Sequence, residues 1–200
     1  MMATTHALMG LLVALPVVFL APDFAPAALV AGVAGGIAPD FDVVATHRKT
    51  LHAPVAAAVA AIAALPFAVL APSSVTVALV IFPAAVALHC YGDVASCGLG
   101  PRPWENPPTD RAVYDHVRGR WVPPRRWISY DGSPADLFVA GALALPLLVL
   151  LEGVWYHLVV GLLLVSIAYA VTRKRLEDVA RWGVQYLPRP ARRYVPERYL

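Results

Sequence analysis

The sequence predicts an all-α polytopic membrane helix bundle of about six short helices, with an irregular cytoplasmic loop and a basic C-terminal tail. Three observations carry this. Hydrophobic residues make up 59% of the 200 positions and charged residues only 14%, with a mean hydropathy of +0.63; a soluble domain is about a quarter charged. Apolar runs fall at 7–21, 25–38, 53–71, 75–92, 137–151 and 154–171. All 16 Lys and Arg are confined to three segments.

The N-terminus has no Lys or Arg before its apolar run and no convincing cleavage site before the next run, so 7–21 reads as a retained first helix rather than a secretion signal. A perpendicular crossing needs about 20 residues. The third, fourth and sixth runs come close. The first, second and fifth are shorter: the bilayer thins around them, or helices one and two form a re-entrant pair. Pro16, Pro66, Pro83 and Pro146 lie inside runs and are expected to kink them. The small residues from Ala31 to Gly36 allow close helix approach.

The basic segments are Arg48 with Lys49, Arg102 through Arg126, and Arg173 through Arg198, whereas the connections near 22–24, 72–74 and 152–153 hold none. With six crossings the basic connections alternate with the bare ones. The positive-inside bias then makes the protein multi-pass in the cell membrane, with both termini cytoplasmic. The bundle spans 1–171 and includes a cytoplasmic loop, 93–135; the tail is 172–200. The loop, as in Gly100-Pro101-Arg102-Pro103-Trp104, reads as irregular. The tail carries an acidic pair, Glu177-Asp178, and mixes Trp182, Tyr186, Tyr194 and Tyr199 with arginines, as an interfacial amphipathic segment does. Membrane lipids are the expected partners of this charge; with no recognised motif, no nucleic acid is expected. Cys90 and Cys97 make neither a disulfide framework nor a CxxC motif.

The topology gathers ionisable residues. His6 opens helix one, Asp40 and Asp42 close helix two, His47 and His52 flank the turn into helix three, and His89 and Asp93 close helix four. These seven candidate metal ligands share one depth at the cytoplasmic face. His89 and Asp93, four apart, lie on one helical face. Imidazole with carboxylate suits a divalent ion, Zn²⁺ or Mn²⁺ first and Fe²⁺ next, and lacks the thiolates of a closed structural zinc site. Seven donors exceed a tetrahedral shell, so a dinuclear site and one ion with surrounding partners both remain open. Ionisable groups at membrane depth are costly and point to function. Outside the set, His116 reads as solvated, His157 as an interfacial residue, Asp136 as a cap of helix five, and Cys90 as packing.

In order and placement these residues resemble the membrane-bound metal-dependent hydrolase family, which includes LexA-regulated inner-membrane proteins. His6 matches its N-terminal His, and Pro39-Asp40-Phe41-Asp42 its Pro-Asp-x-Asp element. His47-Arg48 and His52 match part of a His-Arg-Gly-x-Thr-His-Ser element, and His89 and Asp93 a His-x-x-x-Asp element followed by Pro103-Trp104. The resemblance covers roughly 3–105. Lys49 replaces the Gly, Leu51 the Thr and Ala53 the Ser, while Ser96 stands where Thr is frequent.

The resemblance implies a metal-dependent hydrolase binding one or two ions. Asp42 or Asp93 is then expected to take a proton and Arg48 to hold an anionic group. A lipid or phosphoester substrate follows from location. The alternatives are a non-catalytic structural or sensory metal-binding membrane protein, and an ion or proton transporter. The last predicts polar residues deep in the spans, which helices three, five and six almost lack.

Overall fold

The computed structural model describes residues 1–100, 102–104, 109–193 and 195. Pro101, Tyr194, Tyr199 and Arg198 lie outside the described residues. The six apolar runs all become helices: α1 (Ala3–Leu20), α2 (Ala25–Ile37), α3 (Pro54–Leu70), α4 (Ser74–Ala95), α5 (Pro134–Leu150) and α6 (Gly153–Val184). A short helix, α7 (Arg189–Arg192), follows.

Their ends have local causes. Ser73 caps α4 in a reciprocal capping box with Thr76, and Ser133 caps α5 by accepting from the Asp136 amide. Pro54 and Pro134 occupy first-turn positions, where a missing N–H costs nothing. Pro16, Pro66, Pro83 and Pro146 are inside helices.

Among the described residues, four segments are long and apolar enough to cross a membrane: Ala3–Leu20, Pro22–Val44, Ser74–Ala95 and Gly153–Val184. The second gains its length from 3-10 turns on both sides of α2. This reorders the sequence expectation. Runs one and two reach spanning length, whereas Pro54–Leu70, expected to approach it, is one of the two shorter apolar helices with Pro134–Leu150.

Glycine determines how closely the first helices approach. A Cβ on Gly10 would stand 1.9 Å from the Gly32 carbonyl oxygen, and one on Gly36 would stand 2.4 Å from that of His6. On the other side of α2, a Cβ on Gly35 would meet the Phe82 carbonyl of α4 at 2.3 Å. Backbones this close leave no room for a methyl group, the small-residue packing of membrane helices. Leu8, Leu11, Leu29 and Leu147 fill the core behind them. Asp136 anchors α5 to the start of α1: its carboxylate accepts from the Met2 amide at 2.8 Å, the Thr5 hydroxyl at 2.8 Å and the Gly132 amide at 3.0 Å. It is therefore an interhelical anchor, and the cap expected of it is supplied by Ser133.

The loop expected to be irregular holds some regular structure. The loop contains an antiparallel hairpin, β1 (Val113–Asp115) with β2 (Arg120–Val122). Its turn uses Gly119 at φ +62°, while Asp115 Oδ1 accepts from the Val117 and Arg118 amides. Those bonds, Arg118 first, hold the Asp115 carboxyl below its usual range. Helix α6 runs unbroken across position 172 to Val184, about 48 Å at 1.5 Å per residue, so the first part of the tail is helical. Glu177 is buried and pairs with Arg102 at 3.2 Å and Arg181 at 3.0 Å, which ties this extension to the loop.

Candidate metal centre

One end of the bundle collects the start of α1, the turn after α2, the segment before α3 and the end of α4. The Gly10–Gly32 and Gly36–His6 approaches bring α1 against α2, and Gly35 brings α2 against α4. The Gly36 carbonyl then accepts from His89 Nδ1 at 2.7 Å. Because a carbonyl only accepts, Nδ1 carries the proton, and Nε2 of neutral His89 presents a lone pair. His52 is arranged alike: its Nδ1 donates to Asp42 Oδ2 at 2.9 Å and its Nε2 points inward.

The two Nε2 atoms lie 3.2 Å apart. Asp93 Oδ2 lies 3.3 Å from His52 Nε2 and 3.6 Å from His89 Nε2, and Asp40 Oδ1 lies 3.6 Å from His89 Nε2. Donor atoms of Asp40, His52, His89 and Asp93 all fall within 4.8 Å of one another. Ligands held about 2.0–2.1 Å from a tetrahedral ion are separated by about 3.3–3.4 Å. Four of these spacings are close to that edge. Two lone pairs facing each other between carboxylates repel unless a cation or an added proton sits between them, and among the described residues Asp93 Oδ2 accepts no hydrogen bond and has the Arg48 guanidinium as an ion-pair partner. The donor set therefore fits one divalent ion.

The remaining members of the sequence set surround this group. Asp42 is buried with every acceptor site used: Oδ1 takes His47 Nδ1 at 2.8 Å and the Arg48 amide at 3.3 Å, and Oδ2 takes His52 and the Leu51 amide at 3.2 Å. His6 is buried, stacks on His89 with centroids 3.7 Å apart, and places Nε2 3.2 Å from Asp93 Oδ1. The amino group of Met1 reaches the same oxygen at 3.1 Å. His47 lies at the rim with its side chain 35% exposed, its ring 5.6 Å from that of His52. Of the four grouped residues Asp40 alone is open, with 28% of its side chain exposed.

Arg48, expected to hold an anionic group, lies beside the four-donor group. It is 7% exposed, with Nε 3.3 Å from Asp93 Oδ2 and Nη1 donating to the Cys97 carbonyl at 2.8 Å. Its φ of +61° is rare for a residue with a Cβ, and such strain persists only where surrounding contacts enforce it. The Asp42 bond to its amide and the Tyr114 amide bond to its carbonyl, 3.0 Å, do that here.

His116 and His157 are exposed and outside the group. Cys90 and Cys97 are buried free thiols. The part played by the Gly36 carbonyl had no sequence signal beyond the small-residue run that contains it. No family model, no curated protein and no solved structure matches the chain.

Proposed function

We propose that the protein is a membrane-bound metal-dependent hydrolase with its centre at the cytoplasmic membrane face, acting on a lipid or phosphoester. The observation that carries this reading is the convergence of two oriented imidazoles and two carboxylates within 4.8 Å. Asp40, His52, His89 and Asp93 would hold the ion, Zn²⁺ or Mn²⁺ first. When bound, such an ion polarises a phosphoryl or carbonyl oxygen and lowers the pKa of water toward about 7. The resemblance over 3–105 points the same way, and the confinement of basic residues to one set of connections supports the orientation.

The chain's own residues divide the remaining work. Asp42 fixes the tautomers of both His52 and His47, as outer carboxylates do for metal-bound and catalytic imidazoles. His47, its Nδ1 committed to Asp42 and its side chain partly exposed, is placed to accept a proton at Nε2. Asp42 thus acts through His47 rather than as the base itself. Asp93 serves as a ligand held by His6 and Arg48, and Arg48 orients Asp93 rather than meeting substrate.

One observation favours the alternative, a structural or sensory metal site. Four protein donors fill a tetrahedral shell, whereas catalytic zinc keeps a position open. The hydrolase reading requires a fifth position or displacement of Asp40, the exposed member. Phosphate release from lipid phosphoesters in mixed micelles, with Zn²⁺ or Mn²⁺ added, separates the two. Hydrolysis should vanish in His89→Ala and fall about 10²-fold or more in His47→Gln. Stoichiometric metal with no turnover of any phosphoester would leave the structural reading.

A further inference from the structure

A groove of about 1070 Å³ runs between α2, α3 and α4. Ala60, Ala63 and Ala64, spaced to share one face of α3, line it with Ala31 of α2 and Ala78 and Phe82 of α4. Short side chains on three helices create the space, and the one side-chain hydroxyl on its walls is that of Ser74, at the end far from the metal centre. A polar ligand would find no partners in it.

The same three helices supply the four-donor group at one end: Asp40 follows α2, His52 precedes α3, and His89 and Asp93 close α4. Along α4 the groove extends from Pro83 to Ser74, roughly 9 to 23 Å from the level of His89 at 1.5 Å per residue. One leaflet of a bilayer is about 15 Å deep in hydrocarbon, so the groove passes the midplane. Charge distinguishes its two ends. Lys49, over the Tyr114 ring at 4.2 Å, and the exposed Arg118, which is 3.8 Å from Asp115, stand on the metal-centre side, where the hairpin is tied to Arg48. The connections at the opposite end, 21–24 and 71–73, contain no Lys or Arg.

From this polarity we propose that the groove holds the hydrocarbon chain of an anionic lipid whose headgroup lies at the four-donor group. The inference rests on the hydrolase reading and names its substrate class: a lipid phosphoester with a chain long enough to enter the groove.

Native mass spectrometry of the purified full chain in mild detergent, with added phosphatidylglycerol, tests it. Wild type should retain one dioleoyl phosphatidylglycerol, with at least tenfold preference over the dilauroyl form and over dioleoyl phosphatidylcholine. Ala64→Trp should lose that retention tenfold, while Val149→Trp, on an exposed face of α5, should not. Ala60→Phe provides the same test should the tryptophan variant fail to fold. Equal retention by wild type and the groove variants, equal retention of both chain lengths, or a groove-dependent dimer in place of bound lipid would overturn the proposal. Metal content measured on the same samples separates the two readings. Metal without lipid retention removes only the groove assignment; groove-dependent lipid retention without metal removes only the hydrolase.

Discussion

His52 Nε2 and His89 Nε2 face each other across 3.2 Å, each with its opposite ring nitrogen committed to an acceptor, the Asp42 carboxylate and the Gly36 carbonyl. Neutral imidazoles so fixed cannot hydrogen-bond to one another. The pair is stable only around a cation or with an added proton, which makes metal affinity depend on residues that never touch the ion.

Asp42→Asn tests that dependence. The amide side chain offers a donor to His52 or His47 where the carboxylate only accepts, so the tautomers are no longer enforced. Metal affinity, measured by competition with a chromophoric chelator, should fall about 10- to 100-fold. Unchanged affinity would show that Asp42 does not orient the ligands.

Helix approach at glycine gives a second test. Gly36→Ala places a methyl group against the His6 carbonyl, where only 2.4 Å is available to backbone atoms that cannot yield cheaply. It should lower the melting temperature and the metal content together. Gly161→Ala, with nothing within 4 Å of the added carbon, should be neutral or stabilise by up to about 1 kcal/mol through helix propensity. A neutral Gly36→Ala would contradict the packing described.

Much of this arrangement is legible in the sequence, and the exceptions share a cause. Runs of Ala, Leu and Val mark all six long helices, four segments of which are apolar and long enough to cross a membrane, and the polar residues that the sequence puts at their ends do meet at one end of the bundle. What escapes is decided by tertiary contact. Seven candidate ligands divide into four inward donors and their supports only through orientation, which depends on a carbonyl at Gly36 and on the turn at Arg48. The same turn points the Arg48 guanidinium toward Asp93, a placement that the family resemblance, which implied an anion-holding role, does not specify. The hairpin at Val113–Val122 is three residues per strand, too short for an alternation signal. Helix α6 passes through the charged stretch at Arg173 because Asp131 and Arg102 bind its polar face from the loop.

The Asp136 anchor predicts a large stability effect at a position remote from the metal group. Asp136→Ala would strand the Met2 and Gly132 amides and the Thr5 hydroxyl, and leaving buried donors unpaired costs about 1–3 kcal/mol each. The melting temperature should drop markedly, whereas Asp23→Ala, in the exposed connection after α1, should change it little. Equal melting of the two variants would contradict the anchor.

Thiol chemistry reads the packing near Arg48. Burial holds the Cys97 thiol above its ordinary pKa, against the opposing pull of the Arg48 guanidinium. In a Cys90→Ala background Cys97 should stay protonated at neutral pH. Its alkylation by iodoacetamide should accelerate only above the ordinary thiol range of about 8.5. Rapid labelling at pH 7 would show an open site.

The metal content of the purified protein tests the central claim most directly. Elemental analysis after exposure to Zn²⁺ or Mn²⁺ and desalting should give about one equivalent for wild type and almost none for a His52→Ala/His89→Ala double variant that still elutes as a folded species. Equal, negligible metal in both would contradict a metal centre built from Asp40, His52, His89 and Asp93.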